Sequence, residues 1–120
     1  MKVFNKSIYT IHNARVARTE EGKKLNIFDL EGFSISAYIY KANGKTQLQM
    51  YGKELKYIYN MLTDENYMPT IIDNKLRYSN GVQSFAEGDR VCVFNKSTPD
   101  FEIISISQHG HLEIELKMLH

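Results

Sequence analysis

The chain has 120 residues, 42% of them hydrophobic and 12% aromatic, with eight Tyr, six Phe and no Trp. That length holds one domain with a single core, and the composition excludes wholesale disorder. Fifteen Lys and Arg against fourteen Asp and Glu leave a formal charge of +1, which excludes the strongly basic signature of a dedicated nonspecific nucleic-acid binder.

In chain order, Val3 to Ile11 is rich in β-branched and aromatic residues and reads as a first strand. Ala14 to Arg18 and Leu25 to Leu30 flank the polar run Glu20-Glu21-Gly22-Lys23-Lys24, which suits a hairpin connection. Phe33 to Tyr40 alternates, with Phe33, Ile35, Ala37 and Ile39 on one face, so it reads as a half-buried strand. Asn43-Gly44 is the strongest turn signal, because both central positions of a type I′ turn need positive φ. It predicts a return strand over Lys45 to Tyr51 and then a helix from about Lys53 to Leu62. A competing reading joins Leu48, Tyr51, Leu55, Ile58 and Leu62, spaced by three and four, into one long amphipathic helix. Gly52 argues against it, since a glycine weakens a helix interior by about 1 kcal/mol.

Asp64 to Pro69 reads as a loop, and Thr70 to Ile72 with Leu76 to Tyr78 as a small hairpin around Asp73-Asn74-Lys75. Arg90 to Asn95 is a strand that follows the turn Glu87-Gly88-Asp89. Phe101 to Ser107 and His111 to Leu119 form the last hairpin, in which Leu112, Ile114, Leu116 and Met118 alternate with Glu113, Glu115 and Lys117. Many short strands and one main helix predict a mainly β (α+β) domain, a small antiparallel β-barrel or pseudobarrel spanning 1–120.

Charge is uneven along the chain: residues 1–60 hold ten basic and five acidic side chains, residues 61–120 five and nine. The single Cys92 excludes an intramolecular disulfide and any multi-cysteine zinc site, so a reducing, cytoplasmic setting is expected. No apolar run approaches the roughly 20 residues that span a bilayer, and Lys2, Asn5, Lys6 and Ser7 do not read as part of a signal peptide, so no membrane partner is expected. Lys, Asn, Ile and Tyr supply 40 of the 120 residues, the bias of an AT-rich genome such as that of a low-GC bacterium, its plasmid or its phage.

Gly81-Val82, then Gly88-Asp89-Arg90-Val91-Cys92-Val93-Phe94, then Phe101 to Ile106 resembles the core of the PUA and PUA-like domains. In that family a short strand ends in a Gly-aliphatic step, a turn closes with Gly-Asp, and the next strand sends valines into a pseudobarrel. Gly88 permits the positive φ such a turn can require, and Asp89 can hydrogen-bond local backbone. The resemblance covers about thirty residues, Leu76 to Ile106. Asn80 stands where the family often has proline, and Ile106-Ser107 where a glycine is common. The loop Asn66-Tyr67-Met68-Pro69 lacks the glycine through which many members approach RNA. Size and composition also resemble small PUA-fold regulators carried on conjugative plasmids. That resemblance implies a cytoplasmic regulator restraining the production of surface proteins, in contact with transcripts.

Three groups of residues are candidates for chemistry. His109 and His111 flank Gly110 at a spacing that aims both rings to one side of a strand, compatible with metal, but no Cys or nearby carboxylate completes a compact ligand set, although Glu113 lies within reach along the strand, and the pair reads more simply as a polar turn. Cys92, beside Arg90, is a candidate nucleophile, against the plainer reading of a structural cysteine. Lys45, Lys53, Lys56 and Tyr57 lie on or beside the expected helix, and Arg77-Tyr78 ends the next strand. Cations for phosphate and aromatic planes for bases are what RNA recognition uses; the plainer reading is a solvated helix face. With no nucleophile elbow, phosphate loop or paired carboxylates, the expectation is a non-catalytic, RNA-associated regulator with no cofactor. The alternative is a β-rich protein-interaction module working through a sheet edge or a homodimer surface.

Overall fold

A computed structural model describes residues 6–119, the side chains of residues 16–18, 26 and 109 excepted. The strands are β1 (Ser7–His12), β2 (Ala14–Arg18), β3 (Lys24–Phe28), β4 (Phe33–Lys41), β5 (Ile58–Thr63), β6 (Met68–Ile72), β7 (Lys75–Ser79), β8 (Ser84–Phe85), β9 (Arg90–Cys92), β10 (Phe101–His109) and β11 (His111–Met118). One α-helix, α1 (Lys45–Tyr51), runs into a 3-10 segment, Gly52–Tyr57. Six strands close an antiparallel barrel in the order β1-β4-β5-β11-β10-β9, and β9 returns to β1. The mainly β barrel expected from the alternating segments is therefore present. Its interior is filled, with Ile11, Ile35, Ala37, Met61, Phe101, Ile103, Ile114 and Leu116 at most 1% exposed, so it is a packed core rather than a pore.

Antiparallel neighbours gather the strand ends at two rims. At the helical rim, β4 ends and β5 begins, joined by α1 and the 3-10 segment; β9 also ends there, in the segment that leads to β10. From the opposite rim two inserts project. The β2–β3 ribbon lies between β1 and β4, and the three-stranded meander β6–β7–β8 lies between β5 and β9. Tyr67 and Phe85, ring centroids 5.0 Å apart, are buried under the meander. The chain leaving β5 is held by Thr63, whose hydroxyl donates to Ser36 O at 2.8 Å, and by the Glu65 carboxylate, which accepts Ser36 N–H.

Several sequence expectations need correction. Lys45 to Tyr51 is helix rather than a return strand, and Asn43-Gly44 is no type I′ turn: Gly44, at φ 98, is the N-cap. The turn with two non-glycine residues at positive φ is Asp73-Asn74, at 51 and 63, closing the Ile72↔Lys75 pair. Lys53 to Leu62 is not one helix: Lys53 to Tyr57 is a 3-10 turn and the rest is strand. Gly52, at φ 53 and ψ -122, ends α1 in a positive-φ conformation that favours glycine, and Ile58–Thr63 is a barrel strand paired on both sides. Met68 and Pro69, read as loop, belong to β6. The strand expected over Arg90 to Asn95 stops at Cys92, and Cys92 is itself buried, although of these residues only Val91 and Val93 join the barrel's core cluster. Val3 to Asn5, at the start of the first expected strand, lie outside the described residues.

The Gly-Asp turn does carry the geometry expected of it. Gly88 has φ 96, and its N–H donates to Ile103 O at 2.8 Å. A Cβ at Gly88 meets nothing within 4 Å, but valine there must adopt that positive φ. Gly88→Val is expected to destabilise by more than about 1 kcal/mol, against little change for the exposed Lys96→Ala, as read by paired thermal melts.

Candidate functional site

The six residues expected to meet RNA fall at two different rims. Lys45 lies in α1, and Lys53, Lys56 and Tyr57 lie in the 3-10 segment at the helical rim. All three lysines are exposed, and Lys56 Nζ stands 5.1 Å from the Tyr57 ring centroid. Arg77 and Tyr78 belong to β7, in the meander at the far rim. Both are engaged within the fold. Arg77 pairs with Asp89 at 3.0 Å with 13% of its side chain exposed, and Tyr78 stacks on Phe85 with centroids 6.2 Å apart. The expected single surface is thus split, because the residues after Gly52 build a barrel strand that carries the chain from one rim to the other.

A recess of about 260 Å³ opens at the helical rim, lined by Ser7, Tyr9, Ile39, Lys41, Tyr59, Val93, Phe94 and Lys96. Phe94 is 64% exposed, a conspicuous position for a phenyl ring. Edge contacts hold it on Tyr59 at 5.7 Å and Phe101 at 5.8 Å. Its backbone is also fixed, since Asp100 accepts the N–H groups of Val93, Phe94 and Asn95 at 2.7, 2.9 and 3.0 Å. Asp100 thereby replaces the ladder partner that β9 lacks beyond Cys92. Asn95 Oδ1 then accepts from Ser97 N and Thr98 N, which turns the chain sharply. Lys96 Nζ stands 5.0 Å from the Tyr9 centroid, and Lys41 lines the same recess. The connection carrying Lys45, Lys53 and Lys56 starts from Lys41 and ends next to Tyr59. Two cations beside a preorganised aromatic surface can hold a phosphate and stack a base. Sequence reasoning missed Phe94 and Asp100, although an Asp six residues beyond a strand-terminal aromatic was a readable capping signal.

The far rim holds a larger, charged cleft of about 630 Å³ between the ribbon and the β6–β7 hairpin. Its rear is bolted by Asp89, fully buried. One carboxylate oxygen accepts Ala14 N–H at 2.8 Å, and the other accepts from Asn13 Nδ2, Ala86 N and Arg77 Nη2 at 2.9, 2.9 and 3.0 Å. Asp89 was expected to fix the local turn; it also ties both inserts together. Gly81, at φ 92, sits in the β7–β8 turn, where Asn80 Oδ1 accepts Val82 and Gln83 N–H groups, so Asn80 supplies by hydrogen bonding the turn that a proline would fix by its ring.

The remaining candidates resolve individually. Burial pushes the Cys92 thiol up, Asp100 adds to this, and the opposing effect of Lys96 is smaller; the thiol is buried and held protonated, contrary to a nucleophile activated by Arg90. His111 is exposed at the last hairpin, and the side chain of His109 lies outside the described set. Among the described residues no group of three His, Cys, Asp or Glu is placed to hold a metal ion. Beside α1, Gln47 donates to Asn60 at 2.8 Å and to Glu115 at 2.9 Å, and burial with the adjacent Glu115 pushes the Tyr51 hydroxyl up to about 12. No helix among the described residues is long and apolar enough to cross a membrane. No protein-family model, curated protein or solved structure matches the chain.

Proposed function

We propose that this protein is a non-catalytic, PUA-like, RNA-associated regulator, and that the helical rim is its RNA-binding surface. The observation that carries this reading is the exposed Phe94, held edge-on against Tyr59 in a recess that Lys41, Lys96 and Tyr9 also line. Lys45, Lys53 and Lys56 extend the same cationic rim. The thirty-residue resemblance from Leu76 to Ile106 and the AT-rich composition suggest a cytoplasmic regulator of a conjugative plasmid or other mobile element, acting on transcripts for surface proteins. The buried Cys92 and the paired Arg77 support a role without bond chemistry.

The test is the affinity of the full chain for short single-stranded RNA as a function of salt. Each lysine that neutralises a phosphate contributes about 0.7 to the slope, so Lys41→Ala with Lys96→Ala is expected to flatten it by about 1.4. Phe94→Ala is expected to weaken binding by about 1 to 3 kcal/mol with little change in slope. Lys117 is a poor control, because it pairs with Glu54 of the 3-10 segment at 3.6 Å, at the same rim; Lys24, exposed at the far rim, serves instead. Equal losses for Lys24→Ala and the Lys41, Lys96 pair, or no RNA bound at low salt, would reject the reading.

A protein-interaction role is favoured by one feature, the exposed Ile71 and Leu76, which face each other across β6 and β7. The free edge of β6 is a poor docking strand. Ile72↔Lys75 closes a two-residue turn and alternate residues bond inward, so position 69 faces outward, where its proline has no N–H to offer. A partner protein or second copy would use this apolar face rather than the edge.

A further inference from the structure

The cleft at the far rim has a chemistry of its own. We propose that it binds a guanine nucleotide, with Arg90 and Glu102 reading the base and Lys75 meeting the phosphate. The inference rests on the cleft alone and is independent of the RNA reading of the helical rim.

Arg90 carries the argument. Its guanidinium carbon lies 4.1 Å from the Phe28 ring centroid, which holds the group flat, while its Nε is buried with no hydrogen-bond partner. A buried, unpaired guanidinium donor is costly unless an acceptor arrives. Glu102 stands directly opposite Arg90 in the β9–β10 register, on the same face, and both line the cleft. No ion pair joins them among the described residues, whereas Arg15 and Arg77 in the same cleft are taken up by Asp29 and Asp89. What remains for a ligand is a fork of donors beside a carboxylate, with Lys75 on the same lining, its ammonium held only by a 3.4 Å hydrogen bond to the Glu87 carbonyl.

That pair selects among ligands. A simple anion meets Arg90 but is repelled by Glu102 and by Asp73, which also lines the cleft. A free amino acid could satisfy both charges, but a cleft of about 630 Å³ falls in the size range of sites for larger, drug-sized ligands. Guanine presents O6 and N7 as adjacent acceptors, the edge that arginine reads in pairs, and N1–H and the 2-amino group as donors for a carboxylate. Adenine reverses this pattern, setting an amino group against Arg90.

The experiment is calorimetric titration of the full chain with GMP, AMP, guanosine and inorganic phosphate. GMP is expected to bind, AMP at least about tenfold more weakly, guanosine more weakly than GMP, and phosphate alone not measurably. Glu102→Gln is expected to cut the preference for GMP over AMP at an unchanged melting temperature. Arg90→Lys is expected to weaken GMP by about tenfold, and the Glu102 variant and the ligand series decide the matter if that protein does not fold. A five-nucleotide RNA with a single guanine, titrated into the Lys41→Ala, Phe94→Ala, Lys96→Ala protein so that the helical rim does not contribute, separates the sources. Tighter binding than GMP assigns the base to an RNA strand, equal or weaker binding assigns a free nucleotide, and an adenine-substituted strand that binds as well counts against the site. No GMP binding at millimolar concentration, equal binding of AMP, or an unchanged preference in Glu102→Gln overturns the proposal. Loss of RNA binding in Phe94→Ala would not bear on it, so the two readings fail separately.

Discussion

Asp89→Ala is expected to destabilise the protein by about 3 to 5 kcal/mol, the range for removing one partner of a buried ion pair. The carboxylate is fully buried and accepts four hydrogen bonds, two from the start of the ribbon, one from Ala86 and one from Arg77. Its removal leaves the mostly buried Arg77 charge unpaired and strands the N–H groups of Ala14 and Ala86. Asn is no rescue, because its amide hydrogens would point at one set of these donors. Arg77→Met should cost less than either substitution, since Asp89 keeps its other three donors. Urea unfolding tests this order, and an Asp89→Asn protein as stable as wild type would contradict it. For a domain whose total stability is about 5 to 15 kcal/mol, the loss decides whether the inserts stay docked.

The second large effect is expected at Phe101, the fully buried ring beneath the helical rim. Phe101→Ala removes edge contacts to Tyr59 at 5.3 Å and Phe94 at 5.8 Å and opens a cavity in a filled barrel. Its cost is about 3 to 5 kcal/mol, a fall in melting temperature on the order of 15 °C. Phe94→Ala, seven residues earlier in the chain and largely in solvent, is expected to leave the melting temperature nearly unchanged while weakening RNA binding. Similar thermal losses for the two substitutions would mean that Phe94 is a structural ring rather than a binding one.

The hairpins were legible where alternation was clean. Phe33 to Ile39 and Leu112 to Leu116 follow the alternation as written, Tyr40 breaks it by being buried beside Ile39, and Gly88 has the backbone its turn demanded. The middle of the chain misled for identifiable reasons. In β5 the buried residues are Ile58, Met61 and Thr63, a first interval of three that imitates helix and hides the period of two. In α1 no residue is buried, and Leu48 and Met50 are exposed, so hydrophobic spacing carried no information about it. The candidate site was half legible. Lys45, Lys53, Lys56 and Tyr57 do share the helical rim, but Arg77 and Tyr78 lie part-buried in the meander, and Phe94 hid inside what read as a longer strand. Asp100 acts within seven residues and was readable, whereas Asp89 reaches Asn13 and Ala14 some 75 positions away, which no local window contains.

The barrel is closed by a short seam. β9 contributes three residues, matched as Thr10↔Cys92, Ile11↔Val91 and His12↔Arg90, and about 80 residues of chain separate the partners. Closing a loop of that length costs about 4 kcal/mol of chain entropy before any contact returns it. The ring therefore forms late, and folding is slow, on the scale of milliseconds to seconds. During synthesis β1 must wait for β9, so the nascent chain carries an open sheet until most of its length has emerged. Arg90 belongs to that last seam, which makes the charged cleft among the final features to assemble and the first to loosen.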